Sequence, residues 1–260
     1  MKKLCFTVDV DRDVNECVRG RADAVSKGSD TARFTSSEKG TNILLAMLDS
    51  MGIKATFFAE ATTLDNIDVS LGKNEVAMHG LDHEDMTGEV SGIRLTDEGL
   101  IRIFEESHTI IKDRTGKAPK GFRAPYMRTD ERITAMLPSF GILYDSSLYA
   151  PVGRTMHPYA VNGITEVPVP SGTDAAGNRM TAYLWPMHEG KRTPDDYIRM
   201  ASAVEEGVFV IATHSWHMAE TRSGGIMDAA EIKKNCDNVS RIITALLDSG
   251  FKATRITDCI

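Results

Sequence analysis

Cysteine is scarce in this chain, and the four present, Cys5, Cys17, Cys236 and Cys259, form no CxxC pair and no ligand-like spacing. A thiolate metal site is therefore not expected. Long hydrophobic runs are missing as well: no segment approaches the roughly 20 apolar residues needed to cross a bilayer. The opening MKKLCFTVDVDRD carries two lysines, but its apolar stretch from Leu4 is cut short at Asp9. No small-residue cleavage site follows, so a secretory signal is not expected and a cytoplasmic setting with reduced thiols is the default. Positive charge is in deficit, with 30 Lys and Arg against 37 Asp and Glu and a formal net charge of −7. That balance argues against a nucleic-acid or anionic-membrane partner, because counterion release needs clustered Lys and Arg. Internal repeats, low-complexity tracts and convincing linkers are absent too.

What remains is ordinary globular composition, 42% hydrophobic and 26% charged over 260 residues, enough to bury a core without help from disulfides or metal. We read residues 1–260 as one domain. Leu4 to Val8 has the pattern of a buried strand opening into a loop at Asp9. Polar sequence then runs to about Gly40, too long for a simple connector and so assigned to function. Apolar residues at helical spacing predict a helix over Asn42 to Met51, stopped by Gly52. Strands are predicted at Lys54–Ala59, Glu75–Met78, Lys120–Arg123, Ile142–Tyr144, Thr165–Val169, Val208–Ala212 and Phe251–Arg255. Helices are predicted over Asp97–Arg114, capped by Thr96 and followed by Gly116, over Asp130–Leu137, over Asp195–Glu205, and from Asp228 to Asp248. The alternation of strand and helix predicts an α/β fold with a mainly parallel sheet, either closed as a barrel or open. Asp9, His79, Arg123 and His214 all fall at or just after the end of a predicted strand. That edge is where parallel α/β architectures build their sites.

Asp9-Val-Asp11 places two carboxylates two positions apart, on one face if the strand continues. A solvated acidic loop is the plain alternative. A haloacid-dehalogenase-type phosphatase also opens with DxD, but such sequences carry Thr or Val where this one has Asp13. His79 and His83, four apart, suit one helical turn sharing a metal; neutral imidazole with an Asp suits zinc, cobalt, nickel or iron. Gly80 stands where the zinc proteases of the HExxH type carry their glutamate, so a proton-accepting group has to come from elsewhere, and Asp9 is available. In Arg123-Ala-Pro-Tyr126, Pro125 stiffens a turn and Arg123 can grip a carboxylate through two prongs. His214 emerges from a very apolar strand and can act as a general acid, with a buried structural histidine as the plain alternative. His217 lies close enough to exchange roles with it. Trp216 suits either packing or stacking on a sugar face. His108, His157 and His188 have no sequence partners and receive no role.

Taken in order, these pieces resemble the polysaccharide deacetylase family, carbohydrate esterase family four. The Asp pair after strand one matches Thr7-Val-Asp-Val-Asp11, the paired histidines match His79 and His83, Arg-x-Pro-Tyr matches Arg123 to Tyr126, and the late strand ending in histidine matches Ile211-Ala-Thr-His214. Lys54-Ala-Thr-Phe-Phe58 and Tyr144-Asp-Ser-Ser147 look like further landmarks. Two departures stand out. Val10 separates the aspartates, which are adjacent in most of the family, and with HGxxHE this looks like a cytoplasmic branch that includes a peptidoglycan-deacetylase-like protein and cyclic-imide or allantoin hydrolases. The family's fourth motif, an acidic residue with Trp that supports the acid histidine, has no placeable counterpart.

The resemblance implies a distorted, TIM-like (β/α) barrel of about seven strands. It implies one divalent ion, zinc first, held by Asp11, His79 and His83. Asp9 would take a proton from the attacking water, Arg123 would orient Asp9, His214 would protonate the departing amine, and the Tyr126 N–H with the ion would stabilise the oxyanion. The implied activity is hydrolysis of a non-peptide C–N bond, as N-deacetylation of an N-acetylated sugar or glycan precursor. The second reading keeps the site and changes the substrate to a cyclic amide or imide. A sugar-binding module without turnover is the third. The partner is then a carbohydrate or small amide, with no nucleic acid and no membrane span, and a homo-oligomer is left open.

Overall fold

The computed structural model describes residues 1–260. Its centre is a parallel sheet of β1 (Lys2–Val10), β2 (Thr56–Ala59), β3 (Glu75–Met78), β4 (Gly121–Phe122), β5 (Tyr144–Asp145), β6 (Ile164–Glu166) and β7 (Glu206–His214). These strands lie in the order β6-β5-β4-β3-β2-β1-β7 and pair parallel at every step. Helices α1 (Thr35–Ser50), α2 (Ala61–Asn66), α3 (Asp97–Thr115), α4 (Glu131–Met136), α5 (Pro194–Ser202) and α6 (Ala229–Asp248) occupy the connections and follow the last strand. Strands flanked on both faces read as continuous apolar runs, and Val208 to Ala212 and Leu4 to Val8 are buried throughout. A core cluster of 55 residues runs from Leu4 to Ile256.

The sheet curls toward closure. Thr155–Met156 pairs with the start of β7, while Tyr159–Val161 pairs antiparallel with β6, so the stretch 155–161 touches both edge strands. Seven residues reach at most about 25 Å, which bounds the gap. Further along, the chain adds to the β7 edge at Tyr183: the Ala212 N–H donates to the Ala182 carbonyl at 3.0 Å and the Leu184 N–H to the Ala212 carbonyl at 2.8 Å. The result is the expected distorted barrel, mainly parallel.

Several element boundaries differ from expectation for identifiable reasons. Helix α1 begins at Thr35 rather than Asn42. Its first turns bury Ser36, Ser37, Gly40 and Thr41, polar and small residues that carry no apolar periodicity. The free N–H groups at its start are taken by a distant carboxylate, Asp13, which accepts from Ser36 at 3.0 Å and Ser37 at 2.7 Å. Gly40 is needed for close approach, since a Cβ there would sit 1.8 Å from the Ser215 carbonyl oxygen. The strand expected over Thr165–Val169 is divided. Pro168, with no N–H for a ladder, separates β6 from Val169–Thr173, which joins a small sheet with Tyr149–Pro151 and Arg179–Thr181. The last strand shrinks to Lys252–Ala253. Helix α5 ends three residues early, at Ser202, behind a capping box of Thr193 and Asp196.

Candidate metal centre and active site

Strand register brings the chemistry together. Asp9 lies opposite His214 on one side and Phe58 on the other. Met78 pairs with Ala59 and with Phe122, so His79 and Arg123, the next residues along, follow at the same rim. This is the C-terminal edge of the sheet, and a pocket of about 470 Å³ opens above it, lined by Asp9, His79, His83, His214 and several aromatic side chains.

Arg123 is fully buried and anchored at every nitrogen. Its Nε donates to the Ser146 carbonyl at 3.0 Å, Nη2 to Ser146 Oγ at 3.0 Å, and Nη1 to Thr7 Oγ1 at 2.9 Å and Asp9 Oδ1 at 2.8 Å. The guanidinium lies 4.0 Å from the Phe58 ring centroid. The two-pronged grip expected from sequence is therefore absent. One nitrogen meets Asp9, because the rest of the fork is committed to Ser146 and Thr7. Asp9 Oδ2 accepts from the Tyr183 hydroxyl. Burial alone would raise the Asp9 carboxyl, but Arg123, then His79 and His214, outweigh it and hold it below its usual value. Asp9 is thus an ionised carboxylate with lone pairs left over on both oxygens.

Beside it, Asp11, His79 and His83 are all buried, and each offers a donor atom within 4.8 Å of the others. His79 Nδ1 lies 2.7 Å from the Arg123 carbonyl. A carbonyl only accepts, so Nδ1 carries the hydrogen and Nε2 is left with its lone pair outward, as in a backbone-oriented metal histidine. Burial, and for His83 also the neighbouring His79, depress both imidazoles into the neutral, ligating form. Burial followed by Asp9 and Glu60 raises the Asp11 carboxyl, a cost that a cation would reverse. Asp11 Oδ1 and His83 Nδ1 have no hydrogen-bond partner, although buried polar atoms nearly always find one. Two ligands each about 2.1 Å from one ion lie at most about 4.2 Å apart, so the set fits a divalent ion after a small side-chain adjustment. The expected helical turn is not what aligns the pair. Gly80 at φ 79° and His83 at φ 52° turn the chain left-handed, and the Glu84 carboxylate accepts from the Leu81 and Asp82 N–H groups at 3.1 and 2.9 Å. Asp11 likewise lies beyond the end of β1, held by Asn15 Nδ2 donating to Oδ2.

Tyr126 takes φ 59° and Met127 φ 56°, a left-handed pair that costs of order 1–3 kcal/mol per residue and recurs at functional sites. The Tyr126 ring meets His83 edge-on at 4.5 Å, and its hydroxyl is unpartnered.

His214 Nδ1 lies 3.1 Å from His217 Nδ1, and His217 Nε2 lies 3.3 Å from Glu189 Oε1. If His217 donates to Glu189, its Nδ1 accepts, His214 Nδ1 donates, and His214 Nε2 is the free nitrogen. Glu189 also receives the Arg222 N–H at 2.6 Å and the Ser223 hydroxyl at 2.9 Å. Its hydrogen bond from His217, with these two, pulls its carboxyl down to about 2. Burial pushes His214 down to about 3 against the pull of Asp9. Sequence reasoning missed Glu189 and Tyr183 entirely, and no local pattern marks either. His188, given no role, is buried between Asn235 Oδ1 and Thr213 Oγ1 and stacks on His217 at 5.5 Å. Trp216 is fully buried and packs. The exposed tryptophan at the pocket is Trp185.

Against known proteins, the polysaccharide deacetylase family model matches residues 30–144, a window holding His79, His83, Arg123 and Tyr126 but not Asp9, Asp11 or His214. The peptidoglycan deacetylase-like protein FGM2 of Gibberella zeae is 34% identical over 116 residues, 42% of this chain and 32% of that one. A peptidoglycan deacetylase of Helicobacter pylori is 28% identical over 131 residues, 48% of this chain and 41% of that one. The match thus spans well under half the length of either relative. In structure, a candidate polysaccharide deacetylase from Mycobacterium smegmatis aligns over 99% of this chain and 88% of its own, with TM-score 0.60 and 20% identity. A family 4 carbohydrate esterase from Streptomyces lividans in complex with acetate aligns over 96% and 91%, with TM-score 0.54 and 16% identity. A CE4 family pseudoenzyme from Bacillus anthracis aligns over 99% and 64%, with TM-score 0.56 and 14% identity. These findings support the polysaccharide deacetylase family and its fold. Since that fold also carries a pseudoenzyme, turnover has to be argued from the site.

Proposed function

We propose that this chain, similar to the polysaccharide deacetylases over residues 30–144, is a metal-dependent hydrolase of non-peptide C–N bonds, acting through residues 1–260 as one catalytic domain and removing the N-acetyl group from an N-acetylated sugar or glycan precursor. One observation carries the reading: three buried donors, Asp11, His79 and His83, converge within 4.8 Å, and the two imidazoles line a pocket that Asp9 and His214 line as well. A phosphatase using Asp9 as nucleophile has no use for that imidazole pair.

A divalent ion held there, zinc in our proposal, would polarise the amide carbonyl and make water acidic enough to attack near neutral pH. Asp9 is ionised and clamped by Arg123 and Tyr183, so it is positioned to accept the proton of that water. The Arg123 carbonyl fixes His79 while its side chain fixes Asp9, so one residue aligns both the ligand and the base. His214 would deliver a proton to the leaving amine. Burial keeps it neutral at rest, so the proton that Asp9 takes from the water would first have to pass to its free Nε2; the negative charge of Glu189, relayed through His217, steadies that imidazolium until it gives the proton to the departing amine. The Tyr126 N–H would face the developing oxyanion.

Acetate release is measured after loading the purified protein with zinc, cobalt, nickel or iron and supplying N-acetylated sugars, alongside ring opening of cyclic ureides. Asp9→Asn and His214→Ala should each depress turnover while ion content stays at one per chain. Turnover of ureides alone would move the substrate to the cyclic amides. No hydrolysis of either class by protein carrying its ion would remove the enzyme reading in favour of a binding module.

A further inference from the structure

We infer that the substrate carries an anionic group, a carboxylate or its equivalent, received by Lys191 and Arg222 on the pocket wall. This deepens the proposed function and rests on the same pocket. The chain as a whole is acidic, at −7, yet the fixed charges lining the pocket are Asp9, Lys191 and Arg222. Asp9 is already neutralised from behind by Arg123 at 2.8 Å, which leaves two cations facing the cavity.

Neither cation is used up by a carboxylate partner. The Arg222 guanidinium donates to the Asn15 carbonyl and lies 5.7 Å from the Trp216 ring centroid. Lys191 Nζ lies 5.2 Å from the ring centroid of Trp185, a side chain 37% exposed. The acids nearby are committed elsewhere. Glu189 is held by His217, the Arg222 N–H and Ser223, and Asp174 by Arg192 at 3.2 Å. Tyr149 and Trp185 line the same pocket and offer it aromatic faces. A ligand body packing on aromatic rings, with its amide over the donors and an anion toward the cations, satisfies every wall of the cavity. A neutral sugar leaves two cations unmatched.

The test has two arms. By calorimetry, succinate and its diamide are bound to the metal-loaded protein, wild type and Lys191→Gln/Arg222→Gln. The expected result is succinate at least about tenfold tighter, with most of that factor lost in the double variant. Equal binding of the two ligands overturns the inference. So does a preference that survives the double variant undiminished, because it would belong to carboxylate on the ion. The second arm measures acetate release from N-acetylglucosamine and from N-acetylmuramic acid, which adds a carboxylate. A higher kcat/KM for the acidic sugar, carried by KM and erased in the double variant, supports the inference. No acetate from either sugar, with the succinate preference intact, would count against the proposed activity and leave the anion site standing.

Discussion

Arg123→Met tests most directly how the site is held. The substitution keeps a long apolar stem over Phe58 but deletes the hydrogen bonds to Ser146, Thr7 and Asp9, and leaves the Asp9 carboxylate buried without its cation. Removing one partner of a buried ion pair costs about 3–5 kcal/mol. For a chain of this size each kcal/mol is worth about 2–4 °C in Tm, so a fall of roughly 10 °C is expected. The pH dependence gives the sharper signature. In the wild type the Asp9 carboxyl is lowered by Arg123 despite burial, so its contribution is present above the ordinary carboxylate range and is lost as pH falls through the depressed value. In the variant, burial without the cation raises the carboxyl instead, so the penalty is full above that raised value. The difference between the two proteins should therefore be largest near pH 8 and shrink toward pH 5. Urea unfolding of the metal-free proteins at both pH values reads it. A deficit under about 1 kcal/mol, or one identical at the two pH values, would refute the argument that Arg123 stabilises chiefly by pairing with Asp9.

Three further outcomes are expected. Glu189→Gln and His217→Gln should each lower kcat about 10- to 100-fold, as loss of an orienting partner does, with metal content and KM little changed; a parallel loss of bound ion would place these residues in the metal site instead. His79→Ala and Asp11→Asn should abolish stoichiometric zinc by elemental analysis of dialysed protein, while Asp9→Asn should retain it. Gly40→Ala should destabilise by about 1–3 kcal/mol, the usual cost of overpacking, because its Cβ would sit 1.8 Å from the Ser215 carbonyl oxygen. Turnover should fall with it, since Ser215 follows the acid histidine; an unchanged Tm would show that α1 and this loop separate easily.

The local signals were legible because they are short-range. Apolar runs ending in Asp9, His79, Arg123 and His214 announced strand ends, and strand ends in a parallel sheet share one rim by hydrogen-bond register alone. The HGxxH spacing announced a pair of imidazoles, although a glycine-turned loop and Glu84, rather than a helical turn, aim them. What tertiary structure decided is everything held by groups far apart in the chain. Asp13 caps α1 from 23 residues upstream of Ser36, so the polar start of that helix carried no period to read. Tyr183 reaches Asp9 across 174 positions, and Glu189 backs His217 across 28. Such contacts leave no periodicity or spacing in a single chain, because their partners are chosen by where strands and loops come to lie. Sequence alone thus pointed to the reacting groups, and only the curled sheet with its loops showed what holds them ready.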